Sequence, residues 1–211
     1  GALTVSGAGS FTTAQNNQVI TLDTTTNAII GAVTFTTNGT TGNVTIDNGT
    51  TALNIGTSSI AGSLTAISGN VGGISDSGTV TVTGTGSFAT DANSGVINLN
   101  QLAVTGALTL NTNGTGTATI VNTVGIDLAA NTTIGGATSI TATTGNITDS
   151  GTFTVGAGGA TFVTSANNAT IALGTLAVTG DITLTTNDDA GADASASITN
   201  ATAISFGAST V

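Results

Sequence analysis

Ten aspartates are the only ionisable side chains in this 211-residue chain, which contains no Lys, Arg, His, Cys, Tyr or Glu and has a formal net charge of −10. Any chemistry must therefore run through carboxylates, hydroxyls and amides. Three of the aspartates, Asp188, Asp189 and Asp193, crowd into the run NDDAGAD. Their oxygens are of the hard type that Ca²⁺ accepts. The run lacks the spacing and closing Glu of an EF-hand, and the repeated GGxGxD of calcium-binding β-rolls. It is expected to be a solvated loop between strands. Ca²⁺ is left as the one candidate cofactor, and no catalytic or cofactor-binding residue is assigned. Asp76 in SDSG and Asp149 in TDSG occupy matching places in two similar segments. They are expected to form turns, because an Asp side chain can bond its own backbone two residues on.

The missing residue types exclude whole classes of function. Carboxylate pairs cleave polysaccharides, some on all-β scaffolds. Such sites usually recruit Lys, Arg or His to hold sugars or move protons, so no enzymatic activity is expected. Without His there is no Ser-His-Asp triad. Without Cys there is no disulfide, thiolate or ordinary structural zinc. With no cation to neutralise phosphates, nucleic acid and anionic lipid surfaces are poor partners. No apolar run reaches about 18 residues, so membrane insertion is not expected either. The opening GALTVSGAGSF has neither an initiator Met nor a basic segment before an apolar one, which predicts a processed product or an internal excerpt. Asn-x-Thr triplets (at Asn38, Asn43, Asn48, Asn113, Asn131, Asn146, Asn168 and Asn200) are as frequent as chance supplies in so Asn- and Thr-rich a chain.

The positioning elements follow from local pattern. Short runs of period two, such as TVTVTG at 79–84, ALTLNT at 107–112, TFTVG at 152–156 and DITLTT at 181–186, are bounded by Gly, Asn or Ser. β-branched residues fit a pleated surface, and Gly and Asn tolerate the positive φ of tight turns. No window carries helical periodicity. The expected class is all-β.

Self-comparison goes further. The stretch from ISDSGTVTV (74–82) to LTLNTN (108–113) aligns with that from ITDSGTFTV (147–155) to ITLTTN (182–187) across a one-residue gap. Phe88 falls on Phe162, Ile97 on Ile171 and Leu99 on Leu173; the opening segment is a looser third copy, with Phe11 in the same place. Asn48, Asn122 and Asn200 each end an Ile-x-Asn signature that follows the copies. The chain thus divides into long repeats of about 75 residues, approximately 1–73, 74–146 and 147–211, within one region spanning 1–211. About nine strand-like runs per repeat suggest three coils of roughly 25 residues, each with about three strands. Equivalent positions that keep both spacing and residue type are explained by stacking, each strand pairing with its counterpart about 4.8 Å away. A hairpin-rich sandwich would not impose that register. The expected architecture is a parallel β-solenoid.

In such a coil, alternate aliphatics point into the bore. The expected core includes Ile97, Leu99, Leu108, Leu110, Ile171, Leu173, Ile182 and Leu184, with Phe11, Phe88 and Phe162 filling equivalent interior corners. The intervening threonines are expected to face outward in ranks. Asn48, Asn122 and Asn200 are expected at turns, where an inward amide bonds the backbone.

The light Thr/Gly/Asn/Ala-rich repeats GALTLNTNGTGTATIVN and LAVTGDITLTTN, broken by GNITDSGTFTV, resemble filamentous-haemagglutinin-like proteins. More narrowly they resemble the repeat regions of very large bacterial surface adhesins. The resemblance implies a right-handed parallel β-helix, export to the cell surface, and service as an extracellular stalk or fibre. It points to a structural rod with neighbouring repeats or other copies of itself end to end, and with host surfaces, neighbouring cells or their glycans as candidate partners. A self-assembling filament or sheath subunit is the alternative. A third reading is a Thr-array ice-binding or glycan-binding solenoid.

Overall fold

The computed structural model describes residues 1–129, 131–189 and 191–211. Its regular structure is all β, and every strand pairing among the described residues is parallel. Two large sheets, of 12 and 11 strands, face each other, with a two-stranded pair near the amino end. The chain visits the large sheets alternately. Leu53–Ile55 and Ser58–Ile60 lie in the 12-stranded sheet, Leu64–Ser68 in the 11-stranded one, and Ile74–Asp76 and Val80–Val82 back in the first. One circuit shifts the register by 20 residues at Val44↔Leu64, by 22 at Gly86↔Leu108 and by 25 at Ile171↔Ala196. This is a parallel β-solenoid with about 22 residues and about three strands per coil. About nine circuits at some 4.8 Å each make a rod on the order of 45 Å long.

The sides of the coil are sometimes separate strands and sometimes one strand bent over a corner. Ile97–Val104 pairs with both Ile74–Ser75 and Val80–Val82, and its register shifts between Leu99 and Leu102. Ile171–Val178 does the same over Ile147–Thr148 and Phe153–Val155, with its shift between Leu173 and Leu176.

The coil is shorter than the roughly 25 residues expected, and this changes how the copies relate. From Gly86 the ladder climbs to Leu108, Leu128 and Asp149 within the 11-stranded sheet. The matching residue of the next copy, Ala160, comes half a coil later, in the 12-stranded sheet. A long repeat therefore makes about three and a half circuits rather than three, and successive copies land on opposite faces. Phe11 and Phe162 lie in the 12-stranded sheet and Phe88 in the other. They do not form one column of equivalent corners, as the sequence pattern suggested. Both sheets send alternate side chains into the same bore, so an inward Phe is satisfied on either side.

The bore is filled by aliphatics and four fully buried rings, Phe35, Phe88, Phe153 and Phe162. Ile97, Leu99, Leu108, Leu110, Ile171, Leu173, Ile182 and Leu184 are all buried. Phe11 is only partly buried, its ring stacked on Phe35 of the next coil at 6.0 Å. Phe153 and Phe162, from opposite sheets, meet edge to face at 5.9 Å. At one corner the backbones touch. The amide of Gly84 donates to the carbonyl of Gly62 (2.8 Å) and that of Gly106 to Gly84 (3.0 Å). A Cβ on Gly106 would meet the Gly84 carbonyl oxygen at 2.5 Å, so only glycine allows the coils to close there.

Candidate functional site

The chemically distinctive side chains sit at corners, where the backbone ladder is interrupted. Asn122 ends the strand Ala118–Asn122 and is completely buried. Its Oδ1 accepts from the Val104 amide (2.8 Å), and its Nδ2 donates to the Val104 carbonyl (2.9 Å) and the Gly125 carbonyl (3.0 Å). The carboxamide thus replaces the strand residue that the turn removed, satisfying both backbone groups of the residue a coil away. Asn48, also fully buried, repeats the arrangement on Ile29 (2.9 and 3.0 Å) and pins its own turn at Ala52 (3.0 Å). Half-buried Asn200 repeats it on Val178 (2.8 and 3.1 Å). A fourth buried amide escaped the sequence reading. Asn27 accepts from the Leu3 amide (2.9 Å) and donates to Leu22 and Asp47 carbonyls (2.9 and 3.1 Å). The Ile-x-Asn signature that marked the others is absent there.

Asp76 and Asp149 do something other than the local turn expected of them. The Asp149 carboxylate accepts the amides of Gly174 (2.9 Å) and Thr175 (2.7 Å), with the Thr175 hydroxyl at 2.9 Å. Asp76 accepts from Asn100 (3.1 Å) and Gln101 (2.8 Å). Both therefore clasp the coil above, at the corner over which the long strand bends. Two adjacent amides at a bulge have no ladder partner, and a carboxylate with two oxygens supplies both. Asp149→Ala is expected to cost about 1–2 kcal/mol, since each charge-assisted bond is partly replaced by water. Asp76→Ala should cost less, having no hydroxyl contact. Amide hydrogen exchange at Gly174 and Thr175 checks this. Unchanged protection in Asp149→Ala would rule out the clasp.

The carboxylates of the acidic run face different partners. Among the described residues, no three His, Cys, Asp or Glu side chains stand close enough to share a metal ion. Asp188 accepts from the Ala194 amide (3.3 Å), and no bond joins Asp193 to either neighbour. Asp189 is committed to protein donors: Asn168 Nδ2 (2.9 Å), the Gly191 amide (3.0 Å) and Asn167 Nδ2 (3.2 Å). These bonds, that from Asn168 first, hold its carboxyl below the ordinary 3.8. A depressed folded value means that the ionised form orders the loop above pH 3.8, and that this contribution fades as pH falls below it. Asn168→Gly, which keeps the positive φ of 62° at that position comfortable, is expected to move the Asp189 midpoint up toward 3.8. Carboxyl NMR titration reads the shift; an unmoved midpoint would discount Asn168 as its cause.

Threonine has two roles, and only one was anticipated. Outward hydroxyls do rank coil on coil, as in Thr21–Thr45–Thr65–Ser87–Thr109 on one sheet and Thr119–Ser139–Thr161–Thr183 on the other. Other threonines point inward. Buried Thr37, Thr90 and Thr112 close corners by donating to the carbonyls of Gly42 (2.6 Å), Gly95 (3.2 Å) and Gly116 (2.7 Å). Thr37 and Thr112 share one repeat position and are followed by Gly five and four residues on, whereas the counterparts of Thr90 (Thr13 and Thr164) have no Gly at that spacing.

Residues 41–111, about the length of one long repeat, match a family described as repeats of unknown function (DUF5649). No curated protein and no solved structure matches the chain. The chain is an all-β, parallel β-solenoid repeat module, and a third of it is similar to those repeats.

Proposed function

We propose that the chain is a non-enzymatic, extracellular structural rod, forming part of the stalk or fibre of a large bacterial cell-surface adhesin or matrix protein. The observation that carries this reading is the parallel stacking of coil on coil, each bonded to the next through backbone, with carboxamide and carboxylate clasps at several of the corners. A solenoid of this kind lengthens by adding coils without changing its cross-section, which suits it to spanning distance. The absence of Lys and Arg throughout the 211 residues removes every trypsin site, and the net charge of −10 keeps neighbouring rods apart.

Trypsin treatment of intact producing cells tests the location. The region is expected in the shaved material, uncut; its retention inside the cells would sink the surface assignment. Electron microscopy tests the rod. The purified chain should be a particle of about 45 Å, and a tandem duplicate about twice that. Long fibres whose length grows with concentration would instead support a self-assembling filament.

A further inference from the structure

Asparagine is followed directly by glycine at three places, Asn38-Gly39, Asn48-Gly49 and Asn113-Gly114. With no side chain on the second residue, its amide nitrogen is unhindered in reaching the carboxamide carbon of the first. The three pairs stand in two settings. Asn38 and Asn113 are exposed and end the strands Val33–Asn38 and Leu108–Asn113, at the same position of successive repeats. Each carboxamide is held through Nδ2, by the Thr13 carbonyl (2.8 Å) for Asn38 and the Thr90 carbonyl (3.1 Å) for Asn113. Neither the Gly39 nor the Gly114 amide donates to an acceptor among the described residues. Exposed bonds at a corner of this kind open readily by local fluctuation.

Asn48 is the opposite case. It is completely buried, its carboxamide is bonded to Ile29 and Ala52, and the Gly49 amide donates to Asp47 Oδ1 (2.8 Å). The nitrogen and the carbon are thus both engaged. Asn187 completes the comparison. It ends the strand Asp181–Asn187 at the same repeat position as Asn38 and Asn113, with Nδ2 on the Ser165 carbonyl (2.7 Å), but Asp188 follows it. Packing explains why glycine stays at the other two corners. A Cβ on Gly39 would collide with Asn17 Oδ1 of the preceding coil, and one on Gly114 with Asn93 Oδ1. Both glycines also hold a positive φ, of 91° and 61°. The stacked coil therefore requires glycine at the place where it leaves asparagine open to attack.

We propose that Asn38 and Asn113 are sites of spontaneous modification, each losing its carboxamide nitrogen as ammonia to become aspartate or isoaspartate, and that isoaspartate there loosens the corner. The amide nitrogen of the following glycine gives up its proton and bonds to the asparagine Cγ. The Cγ–Nδ2 bond breaks, and Nδ2 leaves as ammonia with that proton. Water then opens the cyclic imide. Opening at Cγ gives aspartate, and opening at the main-chain carbonyl gives isoaspartate, whose main chain runs through Cβ and Cγ. No redox partner is needed. Each product is an acid, so the two events take the formal net charge from −10 to −12. Isoaspartate also displaces the main-chain carbonyls that accept the Asn17 amide (2.8 Å, at Asn38) and the Ser94 amide (2.9 Å, at Asn113). The chemistry does not depend on the rod's location or length, so the tests of the two are separate.

The test incubates the full 211-residue chain at mildly alkaline pH, folded and, in parallel, unfolded in concentrated urea. Both samples are then cut on the amino side of aspartate and weighed by mass spectrometry. Peptides 23–46, 47–75, 91–126 and 181–187 report Asn38, Asn48, Asn113 and Asn187 separately. An aspartate product adds a new cut at its own position, whereas isoaspartate changes the mass without one. In the folded chain Asn38 and Asn113 should convert about a hundredfold or more faster than Asn48, whose opening must break several buried bonds. Asn187 should lag behind both. In urea Asn48 should convert as fast as the other two Asn-Gly pairs. Amide exchange at Asn17 and Ser94 should be faster in converted chains than in fresh ones. Intact Asn38 and Asn113 in folded chains, under conditions that convert the unfolded ones, overturn the proposal. Folded Asn48 converting at their rate does so too, as does Asn48 remaining intact in urea. Unchanged exchange at Asn17 and Ser94 after conversion overturns the loosening of the corner.

Discussion

Asn122→Ala is expected to destabilise its part of the solenoid by about 3–5 kcal/mol, since it strips partners from three backbone groups and each costs about 1–3 kcal/mol when left buried and unpaired. Those groups are the Val104 amide, the Val104 carbonyl and the Gly125 carbonyl. Water cannot readily replace the carboxamide, because Asn122 is completely buried. Asn122→Asp should not rescue it at neutral pH. The carboxylate still accepts from Val104, but its second oxygen faces carbonyls, and the chain holds no Lys or Arg to offset a buried charge. Asn48→Ala should behave like Asn122→Ala, and half-buried Asn200→Ala should cost less. Coils interact mainly with their neighbours, so the loss is best read locally, as amide exchange around Val104 and Gly125 alongside a urea melt. A loss under about 1 kcal/mol would show that the plug is dispensable.

Phe162→Ala is the second large effect, at about 3–5 kcal/mol for a buried ring truncated in a packed interior, plus about 0.5–1.5 for the lost edge-to-face partner. Phe162 is fully buried and meets Phe153 across the bore at 5.9 Å. Phe11→Ala, at the same repeat position, should cost much less, because that ring is only partly covered. Urea denaturation of the two variants side by side gives the comparison. Equal losses would mean that repeat position, rather than local packing, sets the energetics.

The comparison of Phe11 with Phe162 shows where a repeat pattern stops being informative. Copies of the motif share backbone and side chain, yet the coil above and the sheet opposite differ from copy to copy. Asp76 and Asp149 make the same point. Their matched SDSG and TDSG settings resemble a self-contained turn, whereas their carboxylates bond residues 24 to 26 positions later. A local motif shows that an acceptor is present, but not which coil supplies the donor. The acidic loop is a further case. Three aspartates within six residues were expected to form a solvated loop, but which donors each would meet was not legible: Asp188 accepts from Ala194, and Asp189 from Asn167 and Asn168.

Period-two alternation of Val, Ile, Leu and Thr, broken by Gly and Asn, was enough by itself to make the chain all-β and the aliphatics its interior. Which face of a strand is apolar is a property of neighbouring residues, so it is legible along the chain. The repetition of those faces in register was enough to require stacking. Only the tertiary structure decided the length of a circuit, because that length is summed over corners whose offsets range from 20 to 25 residues. From that sum came the half-coil displacement of each repeat, and with it the flank on which every clasp and ring stands. The bore accepts an apolar side chain equally from either sheet, so nothing in the hydrophobic pattern distinguishes three circuits from three and a half.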